Sequence, residues 1–160
     1  MERERTALTL REYRSGDWRA LWALDVRCFE PVFRFSRRAM REFAEAPGAV
    51  TILAEDGDRG ELAGFCIVQL EERVGYVVTL DVDDRWRRRG LALRLVVEVE
   101  RRVREAGGLA MALHVYTGNA GAIRFYEAMG YVRAELAEGF YASGVDAWVY
   151  EKRLAGALVE

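Results

Sequence analysis

Four arginines lie directly before a segment whose periodicity predicts a helix, and their position points to an anion. Arg85, Arg87, Arg88 and Arg89 precede a helix that begins after Gly90. The N-terminal end of a helix already carries about half a positive charge, so further cations there are unfavourable unless an anion is bound. Free backbone N–H groups at such an end bind phosphate, and glycine lets the backbone approach a ligand closely. Because arginine also binds phosphate bidentately, we expect a pyrophosphate site, with a basic surface turn as the alternative.

Two further side chains could move protons, and the cysteines have no assigned chemistry. His114 is the only histidine, and an imidazole suits a general base near neutral pH, although a structural histidine in a strand is the alternative. Tyr126 follows Asn119 by two helical turns, so both point the same way, and a core aromatic is its alternative. Cys28 and Cys66 lie in apolar settings typical of buried thiols. No metal-ligand spacing is present, so we expect no metal cofactor.

The elements that position these residues follow from hydrophobic periodicity. Their order, β-α-α-β-β-β-α-β-α-β-β, predicts a mixed sheet with helices on both faces, in the broad α/β (α+β) class. The predicted strands are residues 8–13, 49–55, 61–70, 75–82, 109–115, 131–136 and 146–154. The predicted helices begin after Asp17, Ser36, Gly90 and Asn119.

Caps and apolar stripes define two of these helices more closely. Asp17 is expected to cap the first helix, and Ser36 is expected to cap the second. The apolar face of that helix would be Trp18, Leu21, Trp22 and Val26. Asn119 is expected to cap the last helix. The buried stripe of that helix would be Ala122, Phe125 and Met129.

Length and composition restrict the class of protein. The chain has 160 residues and a net charge of −2, so we expect one domain over 1–160 and no nucleic-acid partner. The N-terminus is charged and no apolar run approaches membrane-spanning length, so we expect a cytoplasmic protein with no membrane partner. A monomer and a homodimer are both compatible with the sequence.

Two motifs resemble the GNAT acetyltransferase superfamily. RRRGLA (87–92) matches its [QR]-x-x-G-x-[GA] signature, and the preceding VVTLDVDD is similar to its "xxxLxVDP" strand. NAGAIRFYEAMGY (119–131) matches the second motif, N-x-x-A-[IL]-x-[FL]-Y-x-x-x-G-[FY], at every specified position. The resemblance implies a single domain with a sheet of about seven strands that is splayed between strands four and five.

The resemblance also implies an acetyl-CoA-dependent N-acetyltransferase that acts without a covalent intermediate. The backbone of the fourth strand would bind the pantetheine arm and the thioester carbonyl, and the loop at 87–92 would bind the pyrophosphate. Tyr126 would donate a proton to the CoA sulfur, and Asn119 would contact CoA. The residues assigned to the cofactor are Leu80, Asp81, Val82, Arg87, Arg88, Arg89, Gly90, Leu91, Ala92 and Asn119.

Within the superfamily the chain most resembles the branch that acetylates protein N-termini, of the ribosomal-protein N-terminal-alanine type. That branch often has LEVR where this chain has LHVY (113–116), so His114 would replace the glutamate base and Tyr116 the arginine. A water relay to Asp81 or Glu72 is the competing base. Tyr141, before the last strand, would line the acceptor groove.

The acceptor is therefore expected to be an amine of a protein or peptide, either an N-terminus or a lysine. A small amine is the alternative, which a strongly acidic pocket would favour, and a non-catalytic acyl-CoA sensor is a third reading.

Overall fold

A computed structural model describes residues 8–57 and 59–154, so residues 1–7, 58 and 155–160 of the predicted domain lie outside the described residues. Seven strands form one mixed sheet in the order β1-β2-β3-β4-β5-β7-β6. The strands are β1 (Leu8–Glu12), β2 (Ala49–Asp56), β3 (Leu62–Glu71), β4 (Val74–Val82), β5 (Ala110–Tyr116), β6 (Val132–Ala142) and β7 (Val145–Arg153). The β4–β5 pair is parallel and the other neighbouring pairs are antiparallel.

Four α-helices cover the two faces of this sheet. They are α1 (Trp18–Cys28), α2 (Arg37–Glu45), α3 (Leu91–Glu105) and α4 (Ala120–Ala128), and short 3-10 turns span Pro31–Phe33 and Asp84–Trp86. Successive residues of a strand point to opposite faces. Accordingly, Ile52 of β2 packs with α3 and α4 in one apolar cluster, whereas Leu53 packs with α1 and α2 in the other. The predicted fold class, element order and two-sided arrangement are confirmed.

Two of the predicted caps form and one does not. The Ser36 hydroxyl accepts from the backbone N–H of Ala39 at 3.0 Å, and the Asn119 side chain accepts from Ala122 at 3.1 Å. The Asp17 cap is wrong, because this carboxylate makes no capping bond to α1. It accepts instead from the Arg11 guanidinium, and this bond lowers the pKa of Asp17. Asp17 therefore stabilises the turn that leads into α1.

The predicted apolar faces of α1 and α4 are partly wrong. On α1 the fully buried residues are Leu21, Leu24 and Asp25. Trp18, Trp22 and Val26 are half-buried, and guanidinium groups cover the two indole rings. On α4 the predicted stripe is half-buried, and Tyr126 is the buried residue.

A buried ion pair links α3 to β7. Glu100 of α3 is 4% exposed, and it accepts from Lys152 of β7 at 3.0 Å and from the Tyr131 hydroxyl at 2.8 Å. Both carboxylate oxygens therefore have donors, as a buried charge requires. Within the described ranges, no helix has the length and apolar character needed to cross a bilayer.

Candidate active site

The sheet opens between β4 and β5. Their parallel pairing covers Val74–Val77 and Ala110–Leu113 and stops there, so the two strands part over their last residues. A channel of about 170 Å³ occupies this opening, and its walls include Tyr141, Asn119 and Tyr126 of α4. The expected splay between strands four and five is therefore present.

A second and larger depression lies elsewhere, between α1 and the β4–α3 loop. It measures about 570 Å³ and contains none of the predicted site residues. Its guanidinium groups from Arg27 and Arg85 already pair with Asp83 at 3.3 and 3.2 Å. The channel, and not this depression, is therefore the candidate active site.

The arginine loop presents free backbone N–H groups at the start of α3. Within the described residues, no N–H group from Arg88 to Leu93 donates a hydrogen bond. Gly90 has φ +77° and Arg88 has φ +61°, both in the left-handed region. A Cβ on Gly90 would meet open space, so its left-handed φ, rather than crowding, is what requires glycine there. Consecutive free N–H groups at a helix start form an anion site.

The arginine side chains of this loop differ in whether they already have a partner within the protein. Arg85 pairs with Asp83 and Glu61, and Arg87 pairs with Asp84 at 3.0 Å. Arg89 lies over the Trp86 ring, 5.1 Å from its centroid. The Arg88 side chain makes no polar contact within the described part of the chain. Of the predicted loop residues, Leu91 is buried and offers its backbone N–H, and Ala92 is half-buried.

The free edge of β4 lines the opening. The Asp83 N–H donates to Ala63 of β3 at 2.8 Å, and backbone groups alternate sides along an antiparallel pair. The backbone of Asp81 therefore faces β3, whereas the backbone groups of Leu80 and Val82 face the opening. Among the three predicted positions, Leu80 and the Val82 N–H are placed to contact a ligand along this edge. The Val82 carbonyl already accepts from Arg87 Nε at 3.3 Å and from Cys28 Sγ at 3.4 Å.

Tyr126 and Asn119 of the second motif meet in the channel wall, as their spacing indicates. The Tyr126 hydroxyl makes no hydrogen bond to any described residue. Burial raises the pKa of Tyr126, so the phenol stays protonated and can donate. Asn119 uses its carbonyl oxygen for the helix cap, which leaves its amide N–H groups for a ligand.

His114 has a partner that the sequence did not reveal. Its Nδ1 lies 2.7 Å from the hydroxyl of Tyr76, and Phe140 stacks on its ring with centroids 3.9 Å apart. Burial lowers the pKa of His114, so the ring is neutral near pH 7. Burial raises the pKa of Tyr76 to about 12, so its hydroxyl is protonated, and it donates to Nδ1 or accepts from it according to the histidine tautomer. The geometry is that of a general base with an orienting partner.

The competing base candidates lie away from the channel. Asp81 is 1% exposed and its side chain packs towards α1 instead of the channel. Glu72 is exposed in the β3–β4 turn with φ +47°, at the end of β4 opposite to the opening. Neither carboxyl group is part of the channel wall.

Aromatic rings form a mouth of the channel. Phe33 packs against Tyr141 with centroids 4.8 Å apart and against Tyr116 at 5.1 Å. Phe29 and Phe35 also line it, and these three phenylalanines belong to the α1–α2 segment, residues 29–36. None of the channel-lining side chains is a carboxylate. Within the described residues, no cluster of three metal-ligating side chains is present either.

The residues missed from sequence are Tyr76 and these phenylalanines. The only sequence signal for Tyr76 is a polar-tipped ring in an otherwise apolar strand. In the parallel register Tyr76 stands opposite Ala112, which places it on the same face as His114 two residues later. This proximity depends on strand pairing, which local spacing does not encode.

The chain is similar to known acetyltransferases. Residues 18–131 match the model of the Acetyltransferase (GNAT) family. The N-terminal acetyltransferase A complex catalytic subunit ard1 of Schizosaccharomyces pombe is 29% identical over 102 residues, 59% of this chain and 58% of that protein. The chain spans between 28% and 58% of the length of the curated relatives that it matches.

Solved structures share the fold over nearly the whole chain. The ribosomal-protein-S18-alanine N-acetyltransferase of Escherichia coli has a TM-score of 0.83 and 21% identity, covering 96% of this chain and 99% of that one. Arabidopsis thaliana NAA60 in complex with acetyl-CoA has a TM-score of 0.79 and 22% identity, covering 94% and 100%.

Proposed function

The chain belongs to the GNAT acetyltransferase family, and from that premise we propose that it moves an acetyl group from acetyl-CoA to a primary amine of a protein or peptide. The acceptor amine is an N-terminus or a lysine, and it attacks the thioester directly. The observation that carries the proposal is one channel whose wall contains Asn119, Tyr126 and His114, with the His114 ring hydrogen-bonded to Tyr76 behind it. The assigned site residues, the single domain, the cytoplasmic location and the monomeric or dimeric state stay predictions.

Acetyl-CoA would enter from the arginine loop. The N–H groups from Arg88 to Leu93 and the Arg88 guanidinium would bind the pyrophosphate. The backbone of Leu80 and Val82 would bind the pantetheine arm and the thioester carbonyl along the free edge of β4. Asn119 would donate its amide N–H. The absence of acceptors for these N–H groups among the described residues supports this assignment.

The acceptor amine would lose its proton to the Tyr76–His114 pair. The Tyr76 oxygen accepts the proton from the ammonium while its own proton passes to His114 Nδ1, so no charge is left on the phenol. The neutral amine nitrogen then forms a bond to the acetyl carbon. The thiolate leaves, and Tyr126 returns a proton to sulfur. A raised phenol pKa is consistent with a donor that is protonated before this step.

The channel wall favours a peptide over a small polycation. A site for an aminoglycoside or a polyamine would need carboxylates, and no channel-lining side chain is one. The acceptor mouth offers aromatic rings instead, which suit an apolar first side chain. The non-catalytic sensor is disfavoured because a hydrogen-bonded base candidate and a free phenol donor are both present.

The experiment is a thiol-release assay with acetyl-CoA, peptides that vary at the first residue, the same peptides with blocked N-termini, and polyamines. We expect turnover with apolar first residues and none with blocked peptides that lack lysine. Turnover with polyamines alone would overturn the peptide proposal. Acetyl-CoA binding without turnover on any amine would establish the sensor.

A further inference from the structure

Two carboxyl groups lie against each other in the interior, where two negative charges would be unstable. Asp25 of α1 is 0% exposed and Asp81 of β4 is 1% exposed. Their side chains lie within hydrogen-bonding distance of each other. Asp25 Oδ1 and Asp81 Oδ2 have no other partner within residues 8–57 and 59–154. A carboxyl pair in a low-dielectric site keeps one proton, because like charges there repel strongly.

The other two oxygens of the pair already have donors. Asp25 Oδ2 accepts from the backbone N–H of Phe35 at 2.9 Å, and Asp81 Oδ1 accepts from the Thr79 hydroxyl at 2.5 Å. The one donor still needed is therefore between the two carboxyl groups. Asp25 thus bonds at one oxygen to the α1–α2 segment and at the other to β4.

We propose that Asp25 and Asp81 share one proton, and that this protonated pair is a positioning element that holds the α1–α2 segment against β4. The segment carries Phe29, Phe33 and Phe35 of the acceptor mouth, whereas β4 carries the edge assigned to the thioester. The shared proton would therefore fix the distance between acceptor and donor. The positioning role rests on the proposed function, whereas the shared proton does not.

The surroundings keep the proton on the pair. Burial raises the pKa of Asp81 well above its usual value and also raises that of Asp25, and the Asp25 charge raises the pKa of Asp81 further. The charged groups facing the pair are Arg34, from the α1–α2 segment, and Arg87, from the β4–α3 loop. The titratable groups facing it are Cys28 of α1, Cys66 of β3 and Tyr126 of α4, each kept neutral by burial, which raises its pKa.

A shared proton gives the folded state a definite pH dependence. Between the usual pKa of 3.8 and the raised value, the folded chain holds a proton that the unfolded chain has released. Stability from this proton is complete below 3.8 and is lost as pH rises towards the raised pKa, with the folding equilibrium constant falling about tenfold per pH unit. An amide supplies the same N–H donor at every pH, so a single asparagine removes this loss.

The test compares Asp25→Asn, Asp81→Asn and the double variant in urea unfolding between pH 5 and pH 8. Each single variant keeps one donor facing one acceptor, so we expect it to fold. Its folding equilibrium constant should stay level over this pH range, whereas that of the wild type should fall about tenfold per pH unit. The double variant sets two N–H donors face to face, so we expect it to be less stable than both single variants. Asp17→Asn is the matched control: the Arg11 bond lowers the pKa of Asp17 below its usual 3.8, so its loss should destabilise the fold equally at every pH between 5 and 8.

Kinetics separate the positioning role from a merely structural one. In the double variant the KM for the peptide should rise about tenfold, as for a lost buried hydrogen bond, with acetyl-CoA affinity unchanged. The Asp25→Asn variant should keep the wild-type KM. The shared proton would be overturned if both single variants were destabilised equally and their folding equilibrium constants still fell with pH as steeply as that of the wild type. A shared proton with unchanged KM in the double variant would overturn the positioning role, and the unfolding data stand even if no acceptor is found.

Discussion

Replacing Tyr76 by phenylalanine removes one hydroxyl and leaves the rest of the proposed base in place. The hydroxyl lies 2.7 Å from His114 Nδ1, and the two rings pack edge to face with centroids 5.6 Å apart. Phenylalanine keeps that packing and the Phe140 stack on the other side of the imidazole. The change therefore tests the proton path without moving the histidine.

The size of the effect follows from the role assigned to the hydroxyl. General acid–base catalysis contributes about 10²–10⁴ in rate, and water can replace part of the relay, so we expect the lower limit. The kcat/KM for the peptide should fall about 100-fold, which is about 2.7 kcal/mol of transition-state stabilisation. Because the change lies outside the arginine loop, acetyl-CoA affinity should not change. Since burial lowers the pKa of His114, the acid limb of the wild-type pH–rate profile should lie below pH 6.5.

Initial rates of thiol release at varied peptide concentration measure kcat/KM, and calorimetry measures acetyl-CoA affinity. Tyr13→Phe is the matched control, because the Tyr13 hydroxyl bonds Glu45 at 3.0 Å and its ring is not in the channel wall. If the kcat/KM of Tyr76→Phe for the peptide lay within about threefold of that of Tyr13→Phe, the proposed relay would be refuted.

Three further changes probe the donor phenol, the loop and the buried ion pair. Tyr126→Phe should lower kcat about 10²-fold while acetyl-CoA affinity stays near normal, as measured by steady-state rates and calorimetry. Gly90→Val should weaken acetyl-CoA binding more than Arg88→Ala, because a side chain at φ +77° costs about 1–2 kcal/mol and displaces the N–H groups. Glu100→Gln should destabilise the fold by about 3 kcal/mol in urea unfolding, because the half-buried Lys152 ammonium then keeps a hydrogen-bond acceptor but has lost its negative partner.

Two of these changes, Gly90→Val and Glu100→Gln, have a matched comparison in the same chain. Gly107 has φ +91° and open space around its Cβ position, so Gly107→Val carries similar strain away from the loop and should leave acetyl-CoA affinity unchanged. Arg38 pairs with Glu42 on the surface, so Arg38→Ala should cost no more than about 0.5 kcal/mol. Unchanged kcat in Tyr126→Phe, tighter binding in Gly90→Val than in Arg88→Ala, or a surface-like cost for Glu100→Gln would each contradict its assignment.

Local sequence signals predicted the helices and strands of the fold. Ser36 and Asn119 cap their helices as the pattern indicates, and the apolar positions of α3 are buried from Leu91 to Val103. These features depend on residues within a few positions of one another, which is the range over which capping and helical periodicity act. Asp17 shows the limit of such signals, because Arg11 competes for its carboxylate.

The acceptor side depends on contacts between distant residues, and sequence spacing does not predict them. Tyr76 and His114 are 38 residues apart and meet through the parallel register of β4 and β5. Asp25 and Asp81 meet across the helix–sheet interface, and an aspartate within an amphipathic helix gives no sign of burial. Such contacts become visible once strand order and packing are known.

One irregularity in β4 explains how a single strand serves both partners of the reaction. Ile67 pairs with Thr79 and Val68 pairs with Val77, so Val78 is an extra residue, as in a β-bulge. Val77 packs on the α3 face, whereas Thr79 and Asp81 stand opposite Ile67 and Phe65 of the α1–α2 face. Without the extra residue, the alternation would turn Asp81 into the apolar cluster under α3 and away from Asp25. The bulge therefore places the carboxyl pair on the α1–α2 face and leaves the backbone of Leu80 on the opening, where the proposed amine and thioester would meet beside His114.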